Sequence, residues 1–141
     1  MSEIILTPKE QPQVPLEAPN IKPDVFAGKT IDEIKEVEIN YGNDIVKLSD
    51  FFDVEGTPGE TAGEIKIIID GDVSNTKRIG QEMTAGEILV KGNVSMYVGL
   101  EMKGGKITVQ GDATVWAGQN MRGGELEIMG DAGDYVGSSY R

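Results

Sequence analysis

From Gly86 to Gly137 the sequence returns on itself every 19 residues. Gly86, Gly105 and Gly124 open three copies, Gly92, Gly111 and Gly130 follow each opener by six, and Gly99, Gly118 and Gly137 by thirteen. Met83, Met102 and Met121 keep the same interval, as do the apolar pairs Ile88/Val90, Ile107/Val109 and Leu126/Ile128. A unit this short cannot bury its own apolar face, so the copies must stack on one another. An imperfect earlier copy starts at Ile65, where Ile67 and Ile69 take the places of Ile88 and Val90. Its Gly71-to-Gly80 interval is nine rather than seven, so the first turn is expected to bulge by two residues.

Alternation within a copy assigns the inside. Ile107, Val109, Ala113, Val115, Ala117 and Met121 form the expected core set, and Lys106, Thr108, Gln110, Trp116 and Gln119 point outward. Each copy then offers two strand-like runs, for example Lys106–Gln110 and Thr114–Ala117. Nineteen residues are too few for a strand plus a packed helix, and glycine disfavours helix. Stacked copies imply parallel strands about 4.8 Å apart, and parallel crossovers are right-handed. The expected fold is therefore an all-β-dominated, right-handed parallel β-helix of about four coils built on the 19-residue repeat. Gly86, Gly92, Gly99, Gly104, Gly105, Gly111, Gly118, Gly123, Gly124, Gly130 and Gly137 are its expected corners and close contacts. The Gly104-Gly105 and Gly123-Gly124 pairs mark the sharpest.

The chain ahead of the repeat is different. Five of the six prolines fall at Pro8, Pro12, Pro15, Pro19 and Pro23, a spacing that blocks helix and sheet and favours an extended path. Residues 1–27 are read as a Pro-rich arm, either a free tail or a strap that uses Val14, Leu16 and Ile21 to lie along another surface. Residues 28–60 are read as a small α+β cap. Thr30-Ile31-Asp32-Glu33 has the form of a capping box, and Glu36–Tyr41 and Ile45–Leu48 flank a Gly42-Asn43 turn. A lone hairpin is marginal in water, so the cap should cover the first coil. Gly56-Thr57-Pro58-Gly59 marks the boundary to the repeat domain, 61–141.

Charge and residue usage exclude several functions. The 141 residues carry 24 acids and 13 bases, a net charge of −11, which disfavours nucleic acid and anionic membrane as partners. Cysteine and histidine are absent, so no disulfide, thiolate or imidazole metal site and no His-based proton transfer can be built from this chain. No apolar run reaches membrane-spanning length, and the Met1–Pro8 segment does not read as a signal peptide. A cytoplasmic location is expected.

Three features could carry chemistry. Gly71-Asp72-Val73, Gly92-Asn93-Val94, Gly111-Asp112-Ala113 and Gly130-Asp131-Ala132 suggest a calcium ladder. Calcium repeats, however, use a nonapeptide period with several aspartates per turn, whereas Asp and Asn commonly cap turns. The glycine runs lack the Gly-Lys-Ser/Thr ending and following helix of a phosphate cradle. Tyr97, Trp116 and Tyr135 form an outward column at the 19-residue interval. It is either mutual packing of neighbours or a docking strip for a partner, and the lack of a catalytic constellation favours docking. Ile68 and Leu89, outward in the early copies, are expected to lie under the cap or strap.

The copies MKGGKITVQGDA and MRGGELEIMGDAGDYVG resemble the glycine-repeat β-helix domain at the C-terminal end of the large glutamate synthase subunit. Together with the section MSEIILTPKEQPQVPLEAPNIKPDVFAGKTIDEI, they resemble more closely the C-subunit family of formylmethanofuran dehydrogenases. That resemblance implies a non-catalytic scaffold in a complex that reduces carbon dioxide and attaches it to methanofuran as a formyl group, the first step of methanogenesis. It implies no cofactor in this chain. A tungsten- or molybdenum-pterin, iron–sulfur clusters and a further metal site would sit in partner subunits, pterin-binding and amidohydrolase-like. Family members are longer, and this sequence ends within its fourth copy, as expected of an N-terminal fragment or a truncated gene. The alternatives are a β-helix enzyme acting on polysaccharide and a free-standing glutamate-synthase-like structural module.

Overall fold

The first strand, β1 (Ser2–Pro8), sets the frame of the molecule, seen in a computed structural model that describes residues 2–9, 11–114 and 116–132. Ile4 and Leu6 of β1 are fully buried, while Ile5 and Thr7 face the other side, the two-residue alternation of a half-buried strand. The chain continues through β2 (Leu16–Glu17), α1 (Pro23–Phe26), α2 (Ile31–Lys35), β3 (Glu38–Tyr41), β4 (Asp44–Lys47), α3 (Leu48–Phe51) and β5 (Phe52–Gly56). A 3-10 turn at Ala62–Glu64 leads into β6 (Ile65–Ile69), β7 (Thr76–Lys77), β8 (Glu87–Val90), β9 (Lys106–Val109) and β10 (Glu125–Ile128).

Two sheets result. The larger has the order β10-β9-β8-β6-β1-β5, and the smaller β4-β3-β2-β7. In the larger sheet every neighbouring pair is parallel except β1 and β5, which run antiparallel. β8 to β9 and β9 to β10 pair residues 19 apart, as Ile88↔Ile107 and Ile107↔Leu126. From β6 to β8 the offset is 21, as Ile67↔Ile88, so the first copy holds two extra residues. A second ladder of single bridges joins Val73, Val94, Ala113 and Ala132. A third stretch of stacking is held by backbone bonds from Gly99 N–H to the Ile79 carbonyl and from Gly118 N–H to the Val98 carbonyl.

These observations correct the expected all-β-dominated right-handed parallel β-helix with a Pro-rich N-terminal arm and a small α+β cap. The described residues form a mixed α/β structure of two small sheets and short helices. The arm does not lie outside the sheet. Its β1 is an interior strand, parallel to β6 through Ile4↔Ile67 and antiparallel to β5 through Leu6↔Val54. Its β2 joins the expected hairpin, β3–β4, to β7 of the repeat region. Nor, among the described residues, do the copies after the first carry two strands each. The expected second run, Thr114–Ala117, is preceded by one bridge residue, Ala113, and gives way to a turn over 116–120. The physical reason is local: Tyr97 and Trp116 sit at φ 63° and 68°, which ends an extended run.

Prolines occupy tolerated places. Pro8 is the last residue of β1, and Pro23 is the first residue of α1, where its missing N–H has no helical partner anyway. Leu16 and Ile21 are buried, whereas Val14 is 41% exposed. The Thr30 capping box forms in both directions: Glu33 N–H donates to Thr30 Oγ1 and Thr30 N–H to Glu33 Oε1. One continuous core runs through both regions, with Phe26, Phe52, Leu16 and Leu48 at the N-terminal end and Ile107, Val109, Met102 and Leu126 along the copies. Each such buried aliphatic side chain contributes about 1.5–3 kcal/mol. Of the expected core set, Ile107, Val109, Ala113, Ala117 and Met121 are buried, and Val115 lies outside the described residues. Ile68 and Leu89 are half-buried.

Candidate functional site

The column expected to be aromatic begins one copy earlier, with a cation. Arg78, Tyr97 and Trp116 stand 19 residues apart and share a left-handed backbone, at φ 69°, 63° and 68°. Bulky side chains rarely adopt this region, and three in register reflect one turn repeated in three copies. The Arg78 guanidinium lies 5.0 Å from the centre of the Tyr97 ring, and the Tyr97 and Trp116 rings stack at 6.2 Å and 17°. Both distances are within the attractive range for cation–π and offset-stacked pairs. Arg78 is steered by Glu17 of β2, its Nε donating at 3.0 Å to Glu17 Oε1, and by Gln81 Oε1 at 3.3 Å. All three members of the column are half-buried. Tyr135, the next expected member, lies outside the described residues. Reading the column as aromatic misses Arg78, although the interval of 19 finds it.

A second column runs along the Gly-Asx phrases. Asp112 N–H donates at 2.7 Å to Asn93 Oδ1, and Asp131 N–H at 2.8 Å to Asp112 Oδ1. Each side chain thus caps the backbone of the next copy, as the turn-capping role predicts. The preceding glycine makes this possible: a Cβ on Gly111 would strike Asn93 Oδ1, and one on Gly130 would strike Asp112 Oδ1. At the start of the column, burial pushes the Asp72 carboxyl up, but hydrogen bonds from Ser74 and Asn93 outweigh it and hold the group below its ordinary value. Ser74 Oγ donates to Asp72 Oδ2 at 2.7 Å.

The corner glycines divide by geometry. Gly86, Gly105 and Gly124 have φ of 85°, 81° and 80°, and Gly99 and Gly118 of 68° and 65°. Gly92, Gly104, Gly111, Gly123 and Gly130 have ordinary φ but press on the copy before: a Cβ on Gly104 would strike the Thr84 carbonyl oxygen, and one on Gly123 that of Lys103. Gly137 lies outside the described residues.

Iron–sulfur clusters, which the resemblance implies for partner subunits, do not fit the donors of this chain. The sequence supplies no thiolate or imidazole, and among the described residues no three carboxylates gather closely enough to hold a metal ion. Nor is any helix among the described residues long and apolar enough to cross a membrane.

No protein-family model matches the chain. Over 98 residues, 70% of the chain, it is 81% identical to the C subunit of the tungsten-containing formylmethanofuran dehydrogenase 2 of Methanothermobacter marburgensis. Over a stretch of the same length it is 48% identical to the C subunit of the molybdenum-containing formylmethanofuran dehydrogenase 1 of Methanosarcina barkeri. The matched stretch covers 36% and 33% of these proteins, so the chain spans about a third of the length of the curated relatives it matches. Among solved structures, it superposes with a TM-score of 0.81 on a chain of the formyltransferase/hydrolase complex of Methylorubrum extorquens, crystallised with methylofuran. That match is 27% identical and covers 92% of this chain and 47% of the other. In sequence, then, the chain is similar to the C subunits of formylmethanofuran dehydrogenases of both metal types, and in structure to a chain of the formyltransferase/hydrolase complex.

Proposed function

We propose that the chain is part of the C subunit of a formylmethanofuran dehydrogenase and acts as a non-catalytic scaffold. The complex it would serve reduces carbon dioxide and attaches it to methanofuran as a formyl group. The observation that carries the reading is the 81% identity over 98 residues to the tungsten-type relative. The residue chemistry agrees with it: a chain without Cys or His cannot ligate an iron–sulfur cluster through thiolates. In this reading the pterin, the clusters and a further metal belong to partner subunits, one pterin-binding and one amidohydrolase-like. The complex would work in the cytoplasm.

A scaffold needs a rigid, addressable face, and the Arg78–Tyr97–Trp116 column supplies one. Aromatic and Arg side chains are the residue types that anchor interfaces, and here their backbones are fixed by the repeated turn. Tyr135 would extend the strip. The test is co-purification of a tagged chain from a methanogen that makes the other subunits, with partners identified by mass spectrometry and tungsten or molybdenum measured in the eluate. A pterin-binding oxidoreductase and its metal should accompany the chain, and Trp116→Ser should weaken their retention. Recovery of the tagged chain alone would refute the subunit reading. Full retention by the Trp116→Ser variant would refute the docking role of the column.

A further inference from the structure

We infer that the outer face of the larger sheet docks a second copy of this chain, face to face about a twofold axis that runs along the strands between β6 and β8. This goes beyond the scaffold reading and rests on strand register, burial and charge alone.

The register lays this face out row by row. Ile5 of β1, Ile68 of β6 and Leu89 of β8 stand side by side across three adjacent strands, followed by Thr108 of β9. Ile67 and Ile88, their neighbours along the strands, are buried on the opposite side. Ile5, Ile68 and Leu89 are only half-buried and stand outside the continuous core. Among the described residues, no helix and no strand beyond the sheet neighbours packs extensively against β8 or β9. Adjacent aliphatic side chains on such a face mark a contact surface.

Charge selects the occupant. On one side of the apolar strip a row of alternating sign crosses the sheet through Glu3, Lys66, Glu87 and Lys106. On the other side stand Asp70 and Lys91, where the ladder continues past the strand ends: Asp70 N–H donates to the Leu6 carbonyl and Lys91 N–H to the Ile69 carbonyl. None of these charges has an ion-pair partner among the described residues. A twofold axis between β6 and β8 lays β6 over β8 and β1 over β9 with the rows level. It sets Lys66 against Glu87, Glu3 against Lys106 and Asp70 against Lys91, each pair twice, and Ile68 against Leu89. Each of these charges meets its opposite, the self-complementarity of an isologous interface. A twofold axis across the strands would instead set Glu3 against Thr7 and Lys106 against Gln110, and satisfies fewer charges. Glu55 and Glu127, exposed at the margins, would face each other as β5 over β10, which confines close contact to the four central strands. Four strands about 4.8 Å apart make a patch of roughly 300–400 Å² per copy, below the size of stable interfaces. The dimer is therefore weak and dependent on concentration.

The experiment is sedimentation of the full chain between about 1 and about 100 μM, a range that brackets a micromolar Kd, with folding of each variant checked by circular dichroism. The parent is expected to pass from monomer to dimer across that range. Lys66→Glu and Glu87→Lys each place like charges across the axis and should each raise Kd at least about tenfold. An equimolar mixture of the two restores opposite charges in the mixed dimer and should recover the association of the parent. Leu89→Ser, which changes no charge and touches no core residue, should also weaken the dimer. Three outcomes overturn the inference. The first is a parent that stays monomeric throughout, whether or not another subunit shields Leu89 in a purified complex. The second is a dimer that Leu89→Ser and the folded charge variants leave unchanged, and the third is a mixture that associates no better than either charge variant alone.

Discussion

The N-terminal 56 residues and the repeat from β8 to β10 bury their side chains by opposite means. Before the repeat, each core residue is unlike its neighbours: Phe26, Phe52, Leu16 and Leu48 fill one space from two helices and two strands. The termini there are closed by individual devices, such as the Thr30–Glu33 capping box and the bond from Lys47 N–H to Asp50 Oδ2. Within the repeat, each core residue sits on a near-copy of itself, Ile88 on Ile107 on Leu126. No described aromatic residue is fully buried there. Glycine lets the copies approach, and Asn and Asp tie each to the next. One region gains uniqueness from large shapes, the other from close spacing of backbone.

That contrast can be broken at its strongest points first. Phe52→Ala empties a fully enclosed site and should cost about 3–5 kcal/mol, read as a fall in the urea midpoint at constant slope. Gly105→Val attacks the other strategy. Its φ of 81° is strained for a β-branched residue, and a Cβ there would lie 2.7 Å from the Gly86 carbonyl oxygen and from Met83 Cε. The expected loss is about 2–4 kcal/mol; a melting temperature close to that of the parent would mean that the copies are not held by backbone contact. Asn93→Ala removes the acceptor for Asp112 N–H and should cost about 1 kcal/mol. Its local signature is faster amide exchange at Asp112 with Ile39 amide exchange unchanged.

The smallest effect is on acid sensitivity. Because the Asp72 carboxyl is held below its ordinary value in the folded chain, its contribution is present above the unfolded value and is lost as pH falls through the folded one. Asp72→Asn should therefore narrow the stability difference between about pH 7 and about pH 3. Equal acid sensitivity in variant and parent would leave Asp72 without a part in the column.

The repeat is largely legible in the sequence because period and register are the same fact: residues 19 apart are the ones paired in β8, β9 and β10. The two-residue surplus in the first copy reappears as the 21-residue offset between β6 and β8. Local signals are legible too, since the Thr30 capping box and the Gly42 turn depend on neighbours along the chain. The role of β1 is not. Its pairing with β6 joins Ile4 to Ile67, a contact with no periodic or local mark, and the prolines that follow suggest an arm. The second expected strand fails for a different reason: alternation does not reveal that Trp116 bends the chain through the left-handed region. Arg78 shows the limit of reading a column by residue type, since position in the copy, not aromatic character, defines membership.

The place of β1 between β6 and β5 has a consequence for synthesis. Ser2–Pro8 leaves the ribosome well before its parallel neighbour, Ile65–Ile69, which is made only after α1 to β5. Pairing between such distant segments is slow because the intervening loop must close first. β1 is thus seated on its parallel neighbour late, although it is made early relative to it. Until Ile69 has emerged, β1 can pair only with β5, and its Ile4, Ile5 and Leu6 side chains depend on that one hairpin-like contact for shelter.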